Sequence, residues 1–335
     1  MNTLPAPAML YFAPDAIRAA VGYEDVVEPV ARALADYSRG LGESPVTVFA
    51  PAADEGDVHV KSAWLPGRSV FTVKVASWFL ERSRRGGTPG SGVIAVFDAH
   101  TGDLRALLED EHHISDIRTA AAGALAARAL ARPDSTVLAV LGTGTQAYLQ
   151  TLAAADVLPL REVRIWGRNP ARVRRVADAV RARRPDVRVI ASATAPQACA
   201  GADVLVTATA AREPFVDVGW LTPGMHITAV GADDPSKAEL SAECLARGDR
   251  VVVDSRELAR THGDLARAGM DTKPLSELGE IIAGAEPGRA NDDDITVCKL
   301  IGLGVQDLAA TEVALRRLGE GTSRPRRPAA AAHDL

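Results

Sequence analysis

The stretch Val137 to Gln150, VLAVLGTGTQAYLQ, runs five apolar, mostly β-branched or aliphatic residues straight into Gly142-Thr143-Gly144-Thr145-Gln146-Ala147, with a helix-compatible segment behind them. Strand, tight turn and helix in that order make an anion site. The first glycine permits the turn, the second lets backbone approach a pyrophosphate, and a small third residue, here Ala147, lets helix pack on strand. The N–H groups of the helix N-terminus then face the phosphates. A second chemical feature closes the next apolar strand, IWGRNPARVRR. A carboxylate at that tip takes the adenosine ribose hydroxyls, whereas an arginine accommodates a 2′-phosphate. Gly167, Arg168, Asn169 and nearby Arg172 stand there and no acid does. NADP(H) is therefore expected in preference to NAD(H), the alternative for Arg168 being a solvated loop charge.

A GxGxxA string is common in glycine-rich chains, so its meaning rests on the elements that position it. After Pro133 the pattern alternates: TVLAVLG, a helix to about Ala155, EVRIWGR, the helix PARVRRVADAVRAR, VRVIA, a short helix near Pro196 to Ala200, then ADVLVTAT, MHITAVGA and RVVVD. Apolar strands separated by helices predict a doubly wound parallel sheet of the α/β, Rossmann type. In that setting the dinucleotide residues expected are Gly142, Thr143, Gly144, Thr145, Gln146, Arg168, Asn169 and Arg172. Thr207, Thr209 and Val230, at the ends of two later strands, complete the set.

The chain before Pro133 is organised differently. Asp25 to Leu41 carries apolar residues at helical spacing and ends at Gly40 and Gly42, after which come the β-rich runs PVTVFA, DVHVKSAWL, SVFTVKVASWF and GVIAVFDAHTGDLRALL, the last folded about an HTGD turn. This predicts a meandering sheet plus helix, a mixed α+β domain. ERSRRGGTPGSG between them is expected to be a solvated loop. SDIRTAAAGALAARALA predicts a linking helix with Ser115 as N-cap. A last helix is expected from roughly Ile295 to Leu318, with Gly302 and Gly304 as weak points. His112 and His113 are expected to be exposed loop residues.

Composition narrows the classes. At 335 residues and net charge −5 there is no basic field for nucleic acid and no apolar run of membrane-spanning length. Cys199, Cys244 and Cys298 are scattered and odd in number, without CxxC spacing, so neither disulfides nor a metal site is expected. Reduced thiols and an N-terminus unlike a secretory signal point to the cytoplasm.

KVAS, SDIRTAAAGALAARAL, VLGTGTQA, ADVLVTAT, PGMHITAVGADDPSKAEL, VVVDS and ITVCKLIGLGVQDLA, in this order, resemble the motifs of the ornithine cyclodeaminase and mu-crystallin family over roughly Val70 to Ala310. The resemblance implies a homodimeric NAD(P)-dependent enzyme. Its substrate and dimerisation domain is built from 1–131 with 305–320, its Rossmann domain from 132–304, and 321–335 is a disordered tail. It further implies that Lys74 and Arg118 bind the substrate carboxylate and that Asp233 lies beside the reacting amine. The chemistry suits these types: two cations make a charge-assisted clamp, and a carboxylate can shuttle protons to nitrogen. Each has an alternative: Lys74 at a sheet edge, Arg118 paired with Asp110 or Glu111, and Asp233 or Asp234 capping a helix before PSKAEL.

One region departs from the family pattern. Where ornithine cyclodeaminases carry a glutamate that meets the distal amine, an ungapped count puts Lys61, so Lys61 is expected at the substrate's distal end unless it points outward. Free ornithine is then disfavoured. The expected activity is hydride transfer at the α-carbon of a small α-imino or α-amino acid, as an imine reductase or amino-acid dehydrogenase. The alternatives are a redox-neutral cyclodeaminase and a non-catalytic NADPH-binding protein.

Overall fold

The computed structural model describes residues 9–52, 55–270 and 273–320. These divide into two compact units, 9–118 with 303–320, and 119–302. The expected tail, 321–335, lies outside the described residues. No helix among them is long and apolar enough to cross a membrane.

The first unit contains β1 (Leu10–Phe12), α1 (Pro14–Ala20), α2 (Val27–Ser38), β2 (Val46–Phe49), β3 (Gly56–Ala63), β4 (Val70–Phe79), α3 (Leu80–Arg84), β5 (Gly90–Asp98), β6 (Leu104–Leu108), the start of α4 (His113–Leu130) and, from the far end of the chain, α12 (Gly304–Glu320). The sheet order is β1-β6-β5-β4-β3-β2, with β2 to β6 an antiparallel meander and β1 parallel to β6. Alternation along the strands gives the sheet two unlike faces. Thr72, Lys74, Ala76, Ile94 and Val96 are buried on one, while Phe71, Val73, Val75, Val93 and Phe97 on the other are half-buried or exposed. α12 packs on α2 and on β3 and β4, and α2 buries Val30, Ala33 and Leu34 at helical spacing.

The second unit is an eight-stranded, wholly parallel sheet: β7 (Val137–Leu141), β8 (Glu162–Trp166), β9 (Arg188–Ala191), β10 (Val204–Thr207), β11 (His226–Ala229), β12 (Arg250–Val253), β13 (Ser276–Glu277) and β14 (Thr296–Lys299), in the order β13-β12-β14-β11-β10-β7-β8-β9. Helices α5 (Thr145–Val157), α6 (Pro170–Arg183) and α7 (Ala195–Cys199) connect β7 to β10, and α8 (Ala242–Arg247), α9 (Arg256–Ala259), α10 (Gly263–Arg267) and α11 (Leu278–Ile282) lie between β11 and β14 in the chain. The chain leaves β7 towards β8 and β9, then returns to β7's other side as β10. That reversal opens the crevice at which doubly wound sheets bind ligands. The α/β class, with a Rossmann-type parallel sheet in one unit and a mixed α+β fold in the other, is as expected.

Several local expectations are corrected. Residues 296–299 are not helix: TVCK is a fully buried strand between β11 and β12, and a short apolar run carries no periodicity that separates strand from helix. The helix starts only at Gly304, after Gly302 turns the chain at φ +86°. Ser115 is no N-cap, because α4 begins at His113 and Asp110 Oδ2 accepts from the Ile114 N–H at 2.9 Å. In the expected loop, Leu80–Arg84 is helical and Gly90 to Gly92 already belong to β5. The boundary between units falls inside α4 at residues 118 and 119; within the second unit Gly123 leaves room for the Gln150 side chain, which a Cβ would strike at 1.7 Å.

Candidate active site

In the first unit a cation cluster forms on the buried face of β3 and β4. Lys74 stands on an interior strand, not a sheet edge, and is 1% exposed. Its Nζ lies 2.7 Å from Asp307 Oδ2 and donates to Ser115 Oγ at 2.7 Å. Arg118, in the second turn of α4, donates from Nε to Asp307 Oδ1 at 3.0 Å and from Nη1 to Gln306 Oε1 at 2.8 Å. Its partner is thus Asp307 rather than Asp110 or Glu111. Lys61 does not point outward: it is buried at 2% exposure and sits directly opposite Lys74 across β3 and β4.

Asp307 reaches this point because α12 starts against the β3 backbone. A Cβ on Gly304 would lie 2.4 Å from the Ser62 carbonyl oxygen, so only glycine lets the first turn, which carries Asp307, come down onto the sheet. Burial raises the Asp307 carboxyl, but Lys74, Arg118 and Lys61 together outweigh it and hold the group ionised below its usual range. The Lys74 ammonium is pulled down by burial, opposed chiefly by Asp307. The Asp110 carboxyl nearby is pushed up by burial, opposed by Lys74 and by the Ile114 N–H.

In the second unit the glycine turn fits a dinucleotide. Gly142 has φ +149°, its N–H donates to the Trp166 carbonyl at 2.9 Å, and a Cβ there would lie 2.4 Å from the Ala208 oxygen. Gly144 has open space where a Cβ would stand, and no side chain caps α5 behind it, so the first-turn N–H groups face that space. Thr143, Thr145 and Gln146 are half-buried around the turn. At the tip of β8, Arg168 and Arg172 are exposed, while Asn169 Oδ1 caps α6 by accepting from the Ala171 and Arg172 N–H groups at 2.9 and 3.2 Å.

Thr207, Thr209 and Val230 gather at the ends of β10 and β11, held by a residue the sequence did not single out. Glu239, fully buried, accepts from Thr207 Oγ1, Thr209 N, Thr209 Oγ1 and Gly231 N at 2.7–2.8 Å. Val230 N donates to the Thr207 carbonyl at 2.9 Å. Behind Glu239, Asp264 Oδ1 accepts from the Glu239 and Leu240 N–H groups, and Lys299 Nζ lies 3.2 Å from Asp264 Oδ2. Burial pushes the Glu239 carboxyl up, against the pull of Lys299.

No helix forms at PSKAEL, and the two acids before it divide their tasks. Asp234 Oδ1 makes the turn, accepting from Ser236 N, Ser236 Oγ and Lys237 N at 2.6–3.1 Å. Asp233 stays half-buried, with Oδ1 2.8 Å from Lys237 Nζ. His112 and His113 are not exposed loop residues. Both are half-buried: His112 packs edge-on against Trp78 and pairs with Asp116, while His113 Nε2 meets the Val21 carbonyl at 2.9 Å. Residue type alone does not single out Asp307 and Gln306, because the apolar pattern places the helix start near Ile295 rather than at Gly304. The glycine pair just before them was the available signal.

With this geometry in view, the family model described as ornithine cyclodeaminase/mu-crystallin family matches residues 14–321. The chain is 36% identical over 293 residues to the ketimine reductase mu-crystallin of Mus musculus, covering 86% of this chain and 90% of that one. It is similar to the solved Δ1-pyrroline-2-carboxylate reductase of Thermococcus litoralis in complex with NADH and L-proline, with TM-score 0.88 and 28% identity over 94% of this chain and 98% of that one. It is also similar to an archaeal alanine dehydrogenase dimer with bound NAD, with TM-score 0.86 and 27% identity over 94% and 97%.

Proposed function

The chain belongs to the ornithine cyclodeaminase/mu-crystallin family, and from that premise we propose that it is an NAD(P)-dependent enzyme working on the carbon–nitrogen bond of a small α-imino or α-amino acid, as an imine reductase or amino-acid dehydrogenase. The observation that carries this is the buried Lys74–Asp307–Arg118 cluster. A carboxylate that fixes two cations side by side leaves them the excess positive charge to take a second carboxylate, the substrate's. Lys74 and Arg118 hold that group and so fix the α-carbon. A bound dinucleotide supplies the hydride in reduction and accepts it in oxidation. Reduction would leave the C=N electron pair on nitrogen, and Asp233 in its protonated form would give that nitrogen a proton, which its carboxylate regains from solvent. Lys237, 2.8 Å away, orients the Asp233 carboxylate.

The cofactor seat comprises the Gly142–Gln146 turn with Thr207, Thr209 and Val230. NADP(H) is preferred, because Arg168 and Arg172 stand exposed where a ribose-binding acid would be. Asn169 contributes less than its position suggests, since its oxygen is committed to the α6 cap. The enzyme works as a homodimer. The face of β3–β5 turned away from α12 supports this, being a continuous apolar surface of Val60, Val75 and Val93 in one row and stacked Phe71 and Phe97 in another. Three free, buried cysteines suit the cytoplasm.

Cyclic imines, and 2-oxo acids offered with amines, are the substrates to try with NADPH and NADH in parallel, on wild type and Arg168→Ala. NADPH oxidation matching the amino acid formed, with Arg168→Ala eroding NADPH more than NADH affinity, is expected. Ammonia released from an amino acid without net cofactor consumption would establish the cyclodeaminase instead. Tight cofactor binding without turnover would leave a binding protein.

A further inference from the structure

At the carboxyl ends of β10, β11, β14 and β12, which are neighbours in the parallel sheet, Glu239, Asp254, Asp264 and Lys299 are each 0% exposed. Lys299 closes β14 in register with Ala229 and Val253, and its Nζ lies 3.2 Å from Asp264 Oδ2 and donates to the Ala229 carbonyl at 3.3 Å. It finds room because its flank is glycine: a Cβ on Gly263 would lie 2.8 Å from Lys299 Cε. Asp264 Oδ1 accepts from the Glu239 and Leu240 N–H groups at 2.5 and 2.8 Å, and Asp254, the first residue after β12, accepts from the Ile301 and Gly302 N–H groups at 3.1 and 2.6 Å. The four donors to Glu239 are all neutral groups. Among the described residues of this unit Lys299 is the one lysine or arginine that is buried, so the group holds more negative than positive charge. Burying an excess charge is destabilising, and such a breach of local rules is expected where function compensates it.

We propose that Glu239 and Asp264, with Lys299 as their partial counter-charge, are positioning residues at the nicotinamide end of the cofactor seat, and that their field makes the protein hold the oxidised dinucleotide more tightly than the reduced one. This rests on the cofactor-seat reading above. With the phosphates at the glycine turn after β7 and the adenosine end at β8, the other end of an extended dinucleotide runs towards β10 and β11, the strands on the far side of β7. There the Thr207 and Thr209 hydroxyls both donate to Glu239. The oxidised nicotinamide ring is a cation and the reduced ring is neutral, so an excess of buried negative charge favours the first and leaves the second unaffected. By linkage, a site that prefers the oxidised form makes the bound reduced form a stronger hydride donor. The same charges therefore drive the reaction towards reduction of the imine, although these residues exchange no atom or electron themselves.

The test is the ratio of affinities for NADP⁺ and NADPH, with NAD⁺ and NADH beside them, by isothermal titration of the substrate-free protein, read on whichever pair binds more tightly. Wild type should hold the oxidised form more tightly. Glu239→Gln should weaken the oxidised form about tenfold more than the reduced one. Asp264→Asn, which leaves the Glu239 bonds to Thr207, Thr209 and Gly231 in place, should move the ratio in the same direction. Glu239→Asp, which keeps the charge on a shorter arm, should weaken both forms and hold the ratio near that of wild type. Side chains that only brace the loops would weaken both forms equally, so parallel losses in Glu239→Gln and Asp264→Asn overturn the proposal and leave the cofactor seat intact. Binding of neither form by wild type overturns the seat, and the proposal with it. Should the neutral variants fail to fold, wild type decides alone: tighter binding of the reduced form overturns the proposal, and tighter binding of the oxidised form supports it.

Discussion

Burial pulls the Lys74 ammonium below the usual lysine range, with Asp307 opposing and Arg118 adding to the pull. Arginine stays charged throughout the accessible range, so of the two clamp cations only Lys74 can lose its charge as pH rises. Its pKa is lowered, hence the loss begins below pH 10.5, the ordinary lysine value. Butanoate, which does not titrate there, should therefore bind progressively more weakly on the alkaline side. In Lys74→Arg the decline should move beyond reach while affinity at neutral pH persists within about tenfold. Isothermal titration across alkaline pH checks this, and identical profiles for both proteins would take Lys74 out of the clamp.

The loops after β10 and β11 are tied together by the Glu239 carboxylate, whose two oxygens receive four donors. An amide in its place must turn an NH2 towards N–H or hydroxyl donors, leaving buried groups unpaired at about 1–3 kcal/mol. Since Thr209 N and Gly231 N belong to different loops, Glu239→Gln should loosen one against the other. NADPH affinity is expected to fall about tenfold and Tm by a few degrees. Fluorescence titration of NADPH beside a melting curve separates the effects: a lowered Tm with intact affinity would make Glu239 purely structural.

For the whole molecule the question is what covers the outer face of β3–β5. Val75 lies at its centre, 39% exposed on an interior strand, and a monomer seldom leaves so broad an apolar sheet face to water. Val75→Lys should shift the protein from dimer to monomer in sedimentation, because a charge at the middle of an apolar interface loses its hydration. A wild type that sediments as a monomer at micromolar concentration would remove the dimer reading.

Much of this was legible in the chain because it is written in local signals. The glycine turn between an apolar strand and a helix, the alternating β3–β5 runs and the Asn169-Pro170 start of α6 depend on neighbours in sequence, where period and turn chemistry speak directly. Lys74, Arg118, Lys61 and Asp233 could be named from residue type and family pattern. The tertiary structure alone decided what surrounds them. Whether Lys61 faced inward hung on a strand register, and a slip of one residue reverses it. TVCK reads as helix because a short, fully buried run looks alike in either state until neighbouring strands claim its hydrogen bonds. Asp307 lies 233 positions from Lys74 in sequence, and only the glycine-permitted descent of α12 onto β3 brings the two within 2.7 Å. Pairing across such a separation is fixed by packing, which no local pattern records.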